Sequence, residues 1–249
     1  MCTLVMLRRP DHAWPLVVGA NRDEMIDRPA EPPARHWPDR PEVVAGRDLL
    51  AGGSWLGRND WGVVAAVLNR HGSLGPAAGL RSRGELVLEA LDHADAVEAA
   101  TALAHLDPAA YRSFNLIVAD NRDAFWLRHA GTGEIELFPI KSGLSLIAAG
   151  DLDDFTTPRL AFALIPFTAA AAPDADGSWA AWEALLSDDR PPAGGPPEAA
   201  LRFVTSRGYG TVSSALVALP AVPTPTCPAV FRYAQWLLQP TLWQDVGAR

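Results

Sequence analysis

A cysteine directly follows the initiator methionine in this 249-residue chain. With Met1 removed, Cys2 carries a thiol and a free α-amino group on one residue, and Cys is small enough to permit that removal. A thiol has a pKa of about 8.5 and an α-amine one of about 7.7–8.0. Near neutral pH the thiol is mostly protonated, and a neutral amine beside it can take the proton directly or through a water. Activation of a nucleophile by an N-terminal amine is an established chemical device. The plain alternative is a small buried strand residue.

A second polar group stands close by. The apolar run at residues 15–20 (PLVVGA) leads straight into Asn21, Arg22, Asp23 and Glu24. Residues 2–7 read as a strand, and Pro10, Asp11 and His12 as the turn of a hairpin. Paired residues then have numbers summing to 23 or 24. This sets Cys2 opposite Asn21 or Arg22, with Cα atoms about 4.5–5.5 Å apart. Alternation puts Asn21 and Asp23 on one face and Arg22 and Glu24 on the other, unless the strand has already ended. Such a quartet is either a strand end with a weak surface salt bridge or an organised cluster. In the second case a carboxylate orients the α-ammonium and a guanidinium stabilises the thiolate. Buried charges of this kind must be held by one another or by a ligand.

The elements that must position these groups follow from patterning. Further strands are expected at residues 42–46, 54–57, 62–69, 113–119, Ala124–His129, 134–140, 144–149, Tyr209–Leu219 and 230–238. Helices are expected at 85–93, 95–105, 157–165 and 178–187. Five prolines at 28–41 predict a loop. The order is not the βαβα alternation of a parallel sheet. It suits one domain over 1–249 with two antiparallel sheets stacked on each other and helices outside. The run GVVAAVLN is apolar on both sides, as a strand buried on both faces requires.

Composition narrows the function. The net charge of -8 disfavours a nucleic-acid partner. No apolar stretch is long enough to span a membrane, and the opening run is too short for a secretory signal. These point to a cytoplasmic protein. Two cysteines are neither a disulfide framework nor a zinc pattern. Of nine tryptophans, Trp55, Trp61 and Trp126 are expected in the core, and Trp37, in the proline-rich loop, is a candidate to line a pocket. The loop at 70–83 carries Arg70, His71, Arg81 and Arg83 among glycines and prolines. It is either a site for a phosphate or carboxylate or a solvated basic loop.

These pieces together resemble the NRDE family, of the transport and Golgi organisation 2 type. The resemblance rests on Met1-Cys2, Ala20-Asn21-Arg22-Asp23-Glu24, Arg28-Pro29, Trp37 and Gly46-Arg47-Asp48. It continues with Gly52-Gly53-Ser54-Trp55-Leu56-Gly57, the strand from Gly62 to Asn69, Arg81-Ser82-Arg83-Gly84-Glu85, Phe114-Asn115-Leu116 and Tyr209-Gly210-Thr211. The N-terminal half is also similar, more distantly, to the bile-salt and penicillin-V amidases. The likeness implies an α+β fold, the four-layer αββα sandwich of N-terminal-nucleophile hydrolases. It implies Cys2 as nucleophile, Arg22 and Asp23 as its polar support, and Asn69 as an oxyanion donor. Donors of that kind contribute about 2.7–4 kcal/mol to catalysis. Asn21, Glu24, Trp37, Arg81, Arg83 and Asp151 complete the expected set as ligand-contacting residues. Two departures stand out. Asp151 lies where the amidases place a second Asn donor, and Val212 stands where the family often has Arg. The resemblance implies a hydrolase of amide C–N or related acyl bonds, with no cofactor required. The other reading it carries is a binding or trafficking protein for haem, acyl-CoA or lipid.

Overall fold

The computed structural model describes residues 2–173, 179–224, 226–236 and 242–247. The chain divides into two compact units. One is formed by Met1–Arg28 with Ser142–Ala248, the other by Pro29–Lys141. Each unit holds one antiparallel sheet and two α-helices, an α+β fold.

The first unit contains β1 (Thr3–Arg8), β2 (Leu16–Met25), β10 (Gly143–Ile147), β11 (Tyr209–Leu219), β12 (Val230–Gln235) and β13 (Gln244–Asp245). Their order in the sheet is β10-β1-β2-β11-β12-β13. The odd-numbered residues Val5 and Val17 and the even-numbered Leu146, Leu216 and Ala218 share one face. They pack there with Leu160, Ala163 and Phe167 of α3 (Pro158–Ala169) and Trp182 and Leu186 of α4 (Ala180–Leu186). β2 and β11 form the longest ladder, ten pairs from Tyr209↔Met25 to Leu219↔Leu16. β11 is buried from Gly210 to Leu219, which its apolar run SSALVAL anticipates.

The second unit orders β3 (Ala30–Ala34), β4 (Val44–Asp48), β5 (Leu56–Arg58), β6 (Val64–Asn69), β7 (Phe114–Ala119), β8 (Ala124–His129) and β9 (Glu136–Pro139) strictly in sequence. α1 (Gly84–Leu91) and α2 (Ala96–Ala104) cover the face that carries Ala45, Ala65, Leu116, Val118 and Leu127. Asp95 caps α2, accepting from the Glu98 amide at 2.8 Å.

Three expectations need correction. β2 does not stop at Ala20; it runs on to Met25, so the polar quartet lies inside a strand. The proline-rich 28–41 segment is not all loop, because β3 contains Pro32 and Pro33. It is the edge strand and its register shifts between Glu31 and Ala34, so the missing N–H donors cost no central ladder bond. Trp61 is not core: it sits in the Asn59–Gly62 turn between β5 and β6 and is 54% exposed. The expected strand at 230–238 and helix at 178–187 each extend partly beyond the described residues.

Candidate active site

The site is built where β1, β2 and β11 run side by side. β1 pairs with β2 from Thr3↔Asn21 to Arg8↔Leu16, numbers summing to 24 throughout. One step beyond Thr3, that register sets Cys2 opposite Arg22. On the other side of β2, Asn21 faces Ser214, Arg22 faces Ser213 and Asp23 faces Thr211. Val212 is the extra residue of a β-bulge between Thr211 and Ser213. Bulges recur beside functional sites because they re-aim side chains.

Asn21 and Asp23 both turn to the helix-covered face, where the Leu201 carbonyl and Arg159 link their contacts. The Leu201 carbonyl accepts from Asn21 Nδ2 at 2.8 Å and from Arg159 of α3. Arg159 also ion-pairs with Asp23 Oδ2, and Thr211 Oγ1 donates to Asp23 Oδ1 at 2.8 Å. The Arg159 guanidinium lies 5.0 Å from the Phe203 ring centroid. Asp23 and Arg159 are each 4% exposed. Two charges this far from water are tolerated when paired and hydrogen-bonded, and these contacts give both Asp23 carboxylate oxygens and both Arg159 Nη atoms a partner.

Cys2 is half-buried at the head of β1. Its Sγ lies 3.7 Å from the Asp23 main-chain carbonyl, which also accepts from Tyr209 Oη at 3.3 Å. Burial pushes the Cys2 thiol pKa up, and the Asp23 carboxylate adds to the rise. The hydrogen bond to Asp23 and the Arg22 guanidinium pull the other way without prevailing. Burial also raises the Tyr209 phenol, helped by the negative charges of Cys2, Asp23 and Glu24, so this hydroxyl stays a neutral donor. The Tyr233 phenol on β12 is likewise raised by burial, against the pull of Ser213 and Arg22.

Not every expected residue joins this cluster. Asn21 is 1% exposed, and both its amide hydrogens are committed, to Leu186 O at 3.0 Å and to Leu201 O. Its Oδ1 accepts from Ser214 Oγ at 2.6 Å, and Ser214 Oγ in turn accepts from Trp236 Nε1. Asn21 therefore ties sheet to helix layer and has no donor left for a ligand. Glu24 caps the Met25 amide at 2.8 Å and lies 3.7 Å from Arg28. Asp151 sits in the turn just after β10; Leu4↔Ile147 extended by two steps brings Ala149 opposite Cys2, so this turn starts beside the thiol.

Four expected residues lie in the second unit. Asn69 ends β6, paired with Phe114. Trp37 packs against the core of that unit and donates from Nε1 to Gly52 O at 3.3 Å. Arg81 pairs with Glu85 and Glu89 and stacks over Tyr111. Arg83 donates to Ser73 Oγ, Ser113 O and Gly75 O. Arg112, not anticipated, donates to the carbonyls of Gly72 and Leu74 at 2.8 and 2.7 Å. These guanidiniums shape the 70–83 loop with its own backbone and neighbouring carboxylates.

Arg159, Leu201, Thr211 and Tyr209 are the members that sequence reasoning missed. Arg159 had a signal: it is the single charged residue of the α3 run PRLAFALIPFTA. Tyr209 and Thr211 lie in a recognised motif without an assigned role. Among the described residues no three His, Cys, Asp or Glu side chains gather closely enough to hold a metal ion.

Comparison with solved structures defines the class. Penicillin V acylase from Agrobacterium tumefaciens aligns with 98% of this chain and 86% of its own at a TM-score of 0.61 and 13% identity. The Caenorhabditis elegans N-acylethanolamine-hydrolyzing acid amidase ortholog aligns over 90% of this chain and 94% of its own, with a TM-score of 0.59 and 14% identity. A conjugated bile acid hydrolase of Clostridium perfringens gives 0.52 at 12% identity, over 98% and 92%. The fold is that of the N-terminal-nucleophile hydrolases. Within it, the chain belongs to the family described as Transport and Golgi organisation 2, whose sequence model matches residues 1–154. Over 118 residues it is 38% identical to the Bos taurus Transport and Golgi organization protein 2 homolog and 36% identical to that of Homo sapiens. Each match takes in 44% of this chain and only 40% of the relative. No helix among the described residues is long and apolar enough to cross a membrane.

Proposed function

We propose that this chain is an N-terminal-cysteine amidohydrolase acting on a small acyl amide. One observation carries the reading: the Cys2 thiol and the Tyr209 hydroxyl meet on the Asp23 carbonyl, beside a fully paired buried carboxylate. With Met1 removed, the α-amine of Cys2 takes the thiol proton and Sγ attacks the amide carbon. The tetrahedral intermediate collapses as the ammonium returns the proton to the leaving nitrogen. Water, deprotonated by the same amine, then releases the acid from the thioester. The Tyr209 hydroxyl, kept neutral, donates to the Asp23 carbonyl and would turn from it to donate to substrate oxygen. The neighbours named above act on acyl amides, which supports the choice of substrate class. The test is hydrolysis of a panel of N-acyl amides by the purified chain and by Cys2→Ala. Turnover by the parent that Cys2→Ala loses supports the reading; equal rates, or none with any acyl amide, defeat it.

One observation favours a second reading, ligand binding without turnover. Burial and Asp23 both hold the thiol in its unreactive protonated form. A carrier of haem or acyl-CoA would bind these probes in Cys2→Ala as tightly as in the parent, with no product formed by either.

A further inference from the structure

We infer that Arg159 is a positioning residue for Cys2: by neutralising Asp23 from the helix layer, it leaves the α-amine of Cys2 free to act as a base. The inference rests on the amidohydrolase reading above and assigns the charge balance of the same site.

The geometry runs as a line of contacts across β2. Extending the β1–β2 register one step past Thr3↔Asn21 sets Cys2 opposite Arg22, one residue from Asp23 along β2. A bare carboxylate there would pair with the α-ammonium and hold its proton, removing the base the reaction needs. Arg159 takes that pairing itself: its Nη1 reaches Asp23 Oδ2, and its Nη2 is anchored on Leu201 O. Thr211 occupies Oδ1. The anchoring carbonyl also receives Asn21, so the guanidinium is fixed in place. The Asp23 carboxylate is thereby engaged by α3, and its main-chain carbonyl is turned to the thiol.

Among the described residues, the elements packed next to Cys2 contribute the following other charged or titratable groups. β2 contributes Arg22 and Glu24, and Glu24 is occupied with Arg28. Tyr209 on β11 and Tyr233 on β12 are neutral phenols. The turn after β10 contributes Asp151, Asp153 and Asp154. Asp153 accepts from the Leu146 amide at 2.7 Å, and Asp154 accepts from the Thr156 amide and hydroxyl. The Cys2 thiol completes this set among the described residues. Arg159 meets the Asp23 carboxylate directly.

The test needs no turnover. The chain has two cysteines, so [15N]cysteine labelling gives two nitrogen signals, from Cys2 and Cys227. The Cys2 amine is titrated by NMR in the whole protein. Arg159→Met is expected to raise its midpoint by about one pH unit or more, the size typical of an opposite charge within a few ångströms. Asp23→Asn, which leaves the guanidinium unbalanced, is expected to lower it. The double variant restores the parent value, and Arg159→Lys stays near it. If Arg159→Met does not fold, Asp23→Asn and Arg159→Lys still decide the matter: the first is expected to lower the midpoint, the second to leave it near the parent. A titrating amine whose midpoint ignores both residues overturns this inference alone. A Cys2 nitrogen that remains an amide defeats the N-terminal-nucleophile reading and this inference with it.

Discussion

The Cys2 sulfur meets Asp23 through the main chain, 3.7 Å from its carbonyl, while the Asp23 carboxylate is turned to Arg159 in the helix layer and to Thr211 on the neighbouring strand. One residue thus serves the thiol with its backbone and the scaffold with its side chain. This follows from β2 continuing past Ala20: inside a ladder, the carbonyl of Asp23 lies in the plane of the sheet and its side chain stands off it.

The thiol should therefore titrate late. Alkylation of Cys2 by iodoacetamide, followed by peptide mass, is expected to be slower at pH 7.5 than at an exposed cysteine and to rise on the alkaline side of about pH 8.5. The linked stability has a definite sign. The folded pKa lies above the unfolded one, so the contribution is complete below about pH 8.5 and is lost as pH climbs through the raised value. Cys2→Ala should flatten that alkaline fall in Tm; an unchanged slope would show the thiol is not its source.

Asn21→Ala should destabilise the fold without needing any substrate to reveal it. It takes the donor from the Leu186 carbonyl, removes one of the donors to the Leu201 carbonyl, and takes the acceptor from Ser214. Losses of this kind cost about 1–3 kcal/mol for each buried group left unsatisfied. Urea unfolding of the variant should show a drop of about 2–4 kcal/mol; a loss within about 0.5 kcal/mol, the range of ordinary surface substitutions, would contradict the tether.

Gly210→Ala should loosen the site from a distance. A Cβ at Gly210 would overlap the Phe203 carbonyl and press on Val204 Cα, because the segment after Leu201 runs tight against β11. Backbone cannot move aside as a flexible side chain can, so a cost of about 2 kcal/mol or more is expected. Faster hydrogen exchange at the Phe203 and Thr211 amides should accompany it, since these bond to Thr211 Oγ1 and Phe203 O. Unchanged exchange there would mean that this approach does not hold Leu201 in place.

Much of this was legible in the sequence, and the reasons differ by residue. The β1–β2 register could be read because two short apolar runs flank turn residues, and hairpin pairing is local. The reach of β2 through Asn21, Arg22 and Asp23 could not, since polar residues normally signal a strand's end. Asn21 and Asp23 are buried here because their partners, Leu201 for the first and Arg159 and Thr211 for the second, come from 136 to 188 positions further on. Arg159 was visible as a lone charge on an apolar helix, yet its partner was not. Pro32 and Pro33 argued against a strand, and only the topology reveals the edge position that accommodates them. Asp151 and Val212 departed from the family's usual residues; the structure puts the first in the turn beside Cys2 and the second in the bulge beside Arg22.

The central claim is that Cys2 is an N-terminal nucleophile, and peptide mass spectrometry tests it most directly. The purified chain is mixed briefly with a slow N-acyl amide, quenched in acid and digested. The account predicts a first peptide that begins at Cys2 and carries the acyl group on sulfur, labile to hydroxylamine and absent when the thiol is blocked beforehand. A first peptide that still begins with methionine, or a free Cys2 terminus that never gains the acyl mass, would contradict it.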